Sequence, residues 1–312
     1  MPNGIDNDEK WQAGMLSACG KDKGKVEMME AEKNQKNQGK DKNQLEETRD
    51  KIRDVDTRLI DALADRMKLI QDIIAYKKKT GIPILQPEQE AKQTRELKEQ
   101  LRDNPFEEEI LDVFKYIMKN SRRVQAKALF DYNVFLIGFM GAGKSTIARE
   151  LERKLEMQRI EMDELIEKKQ GMTISEIFSE YGEIYFRNLE SNCLIELQKI
   201  KQAIVSCGGG IVLRPDNADH MKKNGRIVLL TAEPMTILDR VKDSTSRPIL
   251  NNHMNVDYIK DLMDQRREKY LAVADVVVAT DHKSTDEICD EIIAKLIAFD
   301  REQEEKKGVS PA

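Results

Sequence analysis

"NVFLIGFMGAGKSTIARELERKL" (residues 133–155) decides how this chain is read. An apolar run from Val134 to Ile137 enters a glycine-rich turn, and an amphipathic segment follows. A buried strand, a tight loop and a helix in that order are the first unit of a parallel sheet with crossover helices. The loop fits G-x-x-x-x-G-K-[ST], from Gly138 to Ser145. Its glycines let backbone N–H groups turn inward around phosphate oxygens, at a helix N-terminus that favours negative charge. Gly138, Gly141, Ala142, Gly143, Lys144, Ser145 and Thr146 are therefore the expected nucleotide cradle. Lys144 is placed to reach the β- and γ-phosphates of ATP, and Ser145 to offer its hydroxyl to Mg²⁺.

Downstream the same texture continues. "AIVSCG" (203–208), "RIVLLTA" (226–232) and "ADVVVAT" (274–280) alternate with amphipathic segments, which predicts an α/β domain over 132–300 with a buried parallel sheet. Ser284 and Glu287 form a capping box for a last helix, "TDEICDEIIAKLIAF". A charged, frayed tail is expected over 301–312.

Upstream, residues 45–129 read as helices only. The first runs from about 45 to 79 and stops at "TGIP", where Gly81 and Pro83 are breakers. A second starts after Pro87, with Leu97 and Leu101 inward, and "NP" at 104–105 ends it. A third runs from about 107 to 129, with Ile110, Phe114, Ile117 and Met118 inward. Residues 1–44, with "EKNQKNQGKDKNQ" at their end, are too polar to offset their ordering entropy and are expected as a disordered tail.

Whole-chain properties bound the function. At 312 residues two domains are expected. The net charge of −5 speaks against a general nucleic-acid binder. Cys19, Cys193, Cys207 and Cys289 show no CxxC spacing and no disulfide framework, which suggests a reducing cytoplasm. No apolar run is long enough to span a membrane, and "MPNGIDNDEK" lacks the apolar core of a signal peptide.

The first helix holds an anomaly. Leu63, Ile70, Ile73 and Ile74 share one side, continuing Ile52, Val55 and Leu59. Arg66 sits near the centre of that stripe, and Lys77 points within about 20° of it. Such cations pair with carboxylates, snorkel to water, or receive an anion. Glu90 lies on the inner stripe of the second helix, and Ser121 and Gln125 continue the inner ridge of the third. Polar residues on three inner faces imply a polar pocket inside a helical core.

Two families are resembled. "RIEMDELIEKKQGMTISEIFSEYGEIYFRNLE", "CGGGIVLR", "DRVKDSTSRPIL" and "RREKYLAVADVVV" resemble the shikimate kinases over about 132–298. That resemblance assigns Asp163 to the substrate hydroxyls and the attacking oxygen. It assigns Arg187 and Arg266 to the shikimate carboxylate, for which planar guanidinium forks are suited. Gly208, Gly209 and Gly210 match the loop approaching the substrate, Arg247 a lid arginine that meets the transferring phosphate, and Arg240 a residue beside the adenine. Where the family has Asp-x-Asp, this chain has Glu161-Met162-Asp163. Glu161, expected near Mg²⁺, reaches about one bond further.

Residues 45–129 resemble the all-helical chorismate mutases, at Arg49, Arg66, Lys77, Glu90, Ser121 and Gln125. The implied reaction is the rearrangement of chorismate to prephenate. Arg66 and Arg49 would bind the two carboxylates, Lys77 and Gln125 the ether oxygen, and Glu90 the ring hydroxyl. The resemblance implies no cofactor for this module. Gln86 and Gln89 stand where that family often has an acid and an arginine. In such enzymes the long first helix intertwines two subunits. Here it is about 50 Å long, more than two shorter helices of its own chain cover, and a homodimer is expected. A non-catalytic dimerising or ligand-sensing module, and pyruvate elimination from isochorismate, stay open beside the mutase reading.

Overall fold

A computed structural model describes residues 8–80, 84, 86–241 and 255–308. Three helices come first: α1 (Asp8–Thr80), α2 (Pro87–Gln100) and α3 (Glu107–Leu129). Pro87 opens α2, where its missing N–H leaves no intrahelical bond unmade. The helical boundaries follow the apolar periodicity, with one correction. Helix α1 continues back to Asp8, through 8–44, which the composition assigns to a disordered tail. Lysine is the commonest residue of that stretch, with glutamate and glutamine, and these are good helix formers by intrinsic propensity.

After α3 the chain builds the sheet. Strand β1 (Asn133–Ile137) leads into α4 (Lys144–Leu155), then β2 (Gln158–Glu161), α5 (Met162–Gln170), α6 (Ile174–Leu197) and β3 (Ala203–Ser206). Helix α7 (Pro215–Asn224), β4 (Gly225–Thr231), α8 (Pro234–Val241), α9 (Val256–Val273), β5 (Val276–Ala279) and α10 (Thr285–Gly308) complete it. The strand order is β2-β3-β1-β4-β5, and every pairing is parallel. All five residues of β1 are buried, as a central strand covered on both faces requires. Strand β2 is short and half wet because it is an edge.

Two cores flank the sheet. One packs Leu151, Ile292 and Leu296 with Val134 and Val228, and it also takes in Ile84, Ala126 and Phe130. The other packs Ile166, Ile177 and Leu194 with Phe135 and Val205. The Ser284–Glu287 capping box forms as the sequence indicates. Helix α10 does not fray at Asp300 but runs on to Gly308. Arg301 Nη2 donates to the carbonyls of Lys78 (2.8 Å) and Lys79 (3.1 Å), and Glu304 pairs with Lys78, which gives that extra turn partners.

By packing, the chain divides inside α1, into Met1–Met67 and Lys68–Ala312. Within the first part Ile52, Val55 and Leu59 are about half exposed. Phe114, expected inward on α3, is exposed as well. Cys193, Cys207 and Cys289 are buried and reduced, and burial pushes the Cys193 thiol up to about 11. Among the described residues no helix is long and apolar enough to cross a membrane.

Candidate active sites

The loop after β1 sets the first site. Gly138 has φ +144°, and a Cβ there would lie 2.3 Å from the carbonyl oxygen of Leu230, so only glycine fits against β4. Gly143 caps α4 in the left-handed region. The buried Lys144 Nζ donates to the carbonyls of Gly138 (2.9 Å) and Phe139 (3.0 Å), curling back over its own loop. Ser145 Oγ donates to Glu161 Oε2 at 2.9 Å and lies 3.4 Å from Ser206 Oγ. The longer reach of Glu161 is used: its other oxygen accepts from Arg159 at 2.9 Å. Arg240 donates to Gly141 O and to Thr280, which ties α8 to the loop and to the end of β5. These groups line a cavity of about 490 Å³ that also holds Thr146, Lys283 and Asp163.

A second cavity, of about 450 Å³, adjoins it. Asp163 and Gly209 line both. Its walls carry Arg187 and Arg266, each buried, with Glu190 and Gly208 to Gly210. Arg187 is held by Glu190 (2.7 Å) and Glu183 (2.8 Å). Arg266 reaches Gly209 O at 3.5 Å, and the Tyr270 hydroxyl donates to the same oxygen. A Cβ on Gly210 would fall 2.2 Å from Arg187 Nη1, and one on Gly208 2.4 Å from Glu190 Oε1. Glycine lets this loop touch both charged groups. Glu190 is wholly buried, and burial pushes its carboxyl up to about 7 against the pull of Arg187.

The helices carry another polar cluster. Lys77 is buried and donates to Ile84 O at 2.8 Å. Burial lowers its pKa to about 8, with nearby Glu90 pulling the other way. Ser121 and Gln125 are buried on α3, and Gln125 Oε1 has no hydrogen-bond partner among the described residues. Glu90 is held by Arg122. In the other part of the chain, Arg66 is half-buried in α1, and burial lowers its pKa. Arg49 is exposed and pairs with Glu46 at 2.7 Å.

Residues 140–297, half of the chain, match the shikimate kinase family model. The chain belongs to the shikimate kinase family. A shikimate kinase of Dehalococcoides mccartyi is 42% identical over 160 residues, which are 51% of this chain and 90% of that protein. One from a Sulfurihydrogenibium species is 39% identical over 164 residues, 53% of this chain and 97% of that protein. Among solved structures, shikimate kinase from Acinetobacter baumannii in complex with shikimate is similar, with a TM-score of 0.53 and 30% identity. It spans 55% of this chain and 97% of that one. Residues 48–126 match the chorismate mutase type II family model. The chain thus joins a chorismate mutase domain to a shikimate kinase, a bifunctional enzyme of aromatic biosynthesis.

In the shikimate kinase domain the structure brings together every expected site residue but one. Arg247 lies outside the described residues. Sequence reasoning missed Glu190, Glu183, Arg159, Ser206 and Tyr270. Arg187-x-x-Glu190 is an i,i+3 pair on one helical face and was legible as a possible ion pair. Ser206 ends a buried strand and carries no such pattern.

Proposed function

We propose that residues 132–300 transfer the γ-phosphoryl group of ATP to the 3-hydroxyl of shikimate, and that residues 45–129 convert chorismate to prephenate. One observation carries the kinase assignment. Asp163 lines both the cavity of the phosphate loop and the adjoining cavity of paired arginines. A carboxylate at that junction orients the attacking hydroxyl and accepts its hydrogen bond as the bond to phosphorus forms and ADP departs. Arg187 and Arg266 hold the shikimate carboxylate, and Gly208, Gly209 and Gly210 admit the ring. The N–H groups of the loop and Lys144 neutralise charge on the transferring phosphoryl, which is most of what this chemistry needs. Arg240 sits beside the adenine, and Arg247 is assigned to the phosphate from the lid.

The oxygens near the loop fit Mg²⁺. Ser145 Oγ and Glu161 Oε2 are hard donors 2.9 Å apart, and Mg²⁺ is commonly held by one or two protein oxygens together with substrate phosphates and water. Ser145 and Glu161 would hold Mg²⁺ there, and it would supply positive charge against the phosphates of ATP.

For the mutase, no proton transfer or nucleophile is required. Lys77 and Gln125 donate to the developing charge on the ether oxygen, Arg66 and Arg49 bind the carboxylates, Ser121 assists, and Glu90 holds the ring hydroxyl. The half-exposed Ile52, Val55 and Leu59 on α1 support a homodimer through the helical domain. The buried thiols, and the lack of a membrane-crossing helix among the described residues, are in keeping with a cytoplasmic enzyme. Gln86 and Gln89 favour one second reading, a dimerising or ligand-sensing helical domain without catalysis.

Assays of the purified full chain with chorismate, and separately with shikimate and MgATP, test both activities. Arg66→Ala should lower prephenate formation by about 100-fold or more and leave shikimate phosphorylation unchanged. An unaltered mutase rate would overturn the catalytic assignment of the helices.

A further inference from the structure

Arg122 joins Glu90 of the helical module to Glu156 of the kinase. It follows Ser121 on α3 and lies one turn before Gln125. Its Nη1 donates to both oxygens of Glu90 at 2.8 Å. Its Nη2 donates to Glu156 Oε1, also at 2.8 Å. Glu156 caps the C-terminus of α4, the helix that begins at the phosphate loop, and its backbone is left-handed there. The Arg122 and Glu156 side chains are only 16% and 12% exposed, so water screens this pair weakly. Lys119 adds a second cation to Glu156 at 3.3 Å.

We propose that Arg122 is a positioning residue for the mutase reaction, and that Glu156 of the kinase domain holds it in place. This rests on the mutase reading given above. A glutamate on a half-exposed helix face has several free rotors, and binding a ring hydroxyl would have to freeze them. Arg122 Nη1, which donates to both carboxylate oxygens, sets the direction of Glu90 before substrate arrives. The neighbouring Gln89 supplies no cation, so the charge comes across from α3. Arginine suits this better than lysine, because its two terminal nitrogens each serve a different carboxylate in a fixed geometry. The Nε of Arg122 is also buried with no hydrogen-bond partner among the described residues, as is Gln125 Oε1. Two unfilled polar atoms one turn apart on α3 mark a layer built to receive a polar ligand. On this account the kinase domain supplies part of the support of the mutase pocket.

The test uses the full chain as wild type, Arg122→Gln, Arg122→Lys, Glu156→Gln and the double variant R122Q/E156Q. Steady-state kinetics with chorismate and with shikimate plus MgATP are measured, together with the thermal midpoint. Arg122→Gln should lower mutase kcat/KM by about 10- to 100-fold, mainly through KM. Glu156→Gln, a change in the kinase sequence, should lower it by about 3- to 10-fold with kinase kinetics unaltered. Arg122→Lys should resemble Glu156→Gln, since one ammonium cannot serve both carboxylates. The double variant should be no worse than Arg122→Gln alone, because Glu156 acts only through Arg122. Additive losses would overturn the proposal, as would a lowered midpoint with mutase kinetics intact. If Arg122→Gln does not fold, Glu156→Gln decides alone, and wild-type mutase kinetics there refute the link. A wild-type chain that converts no chorismate overturns the mutase reading and this proposal with it. An active wild type with an equally active Arg122→Gln overturns this proposal only.

Discussion

Replacing Glu190 by glutamine tests the electrostatics of the shikimate side. Glu190 is fully buried. One of its oxygens accepts from Arg187 at 2.7 Å, and the other has no partner among the described residues. Burial lifts its carboxyl from the ordinary 4.5 to about 7, although Arg187 pulls it down. The folded state therefore holds this proton more tightly than the unfolded chain does. Ionised Glu190 lowers stability, and the sign follows from linkage. The loss is absent below about 4.5, grows as pH rises, and is complete above about 7. At about 1.4 kcal/mol for each tenfold change in proton affinity, the rise from 4.5 to about 7 amounts to about 3 kcal/mol. Glutamine keeps the shape and carries no charge. Glu190→Gln should then be more stable than wild type by about 3 kcal/mol near pH 8, about 1 kcal/mol near pH 5.5, and equal to it in stronger acid. Urea unfolding of both proteins across that pH range, followed by circular dichroism, measures the gap. The same variant should raise KM for shikimate by about 10-fold, since Arg187 loses the buried one of its two charged partners. A variant less stable than wild type at pH 8, by a margin that widens with pH, would refute the reasoning. It would show that the ion pair with Arg187 outweighs burial.

Three further outcomes are expected. Arg187→Ala should raise KM for shikimate by about 100-fold and KM for ATP little, because only the cavity lined by Arg187 and Arg266 loses its cation; equal effects on both substrates would count against a carboxylate-binding role. The mutase kcat/KM should fall as pH rises through about 8, where the buried Lys77 gives up its proton, whereas Lys77→Arg stays charged and should flatten that limb. A wild-type profile level up to pH 9.5 would remove Lys77 from the donors. Leu59→Asp should convert a dimer to a monomer in sedimentation velocity, since Leu59 is half exposed on α1 in a single chain; an unchanged mass would exclude this stripe as the interface.

The sequence by itself determined most of this protein. The phosphate loop was legible because its glycines answer a local demand, φ values and close approaches that no other residue meets, as at Gly138. The three central strands β1, β3 and β4 announced themselves as unbroken apolar runs, since a central parallel strand is buried on both faces. Arg66 and Lys77 stood out because a cation on an apolar stripe breaks helical periodicity. Tertiary structure decided the rest. Edge strand β2 has little apolar pattern because half of it stays wet. The end of α10 depends on Arg301 meeting carbonyls of α1, more than two hundred residues away in sequence. Most of all, the partition of the chain came from packing. The textures of sequence change near residue 130, yet Ile84, Ala126 and Phe130 lie in the core of the kinase sheet, and Arg122 ties Glu90 to Glu156. Periodicity reports which face of a helix is apolar. It does not report what that face will meet, because that depends on where distant segments come to rest.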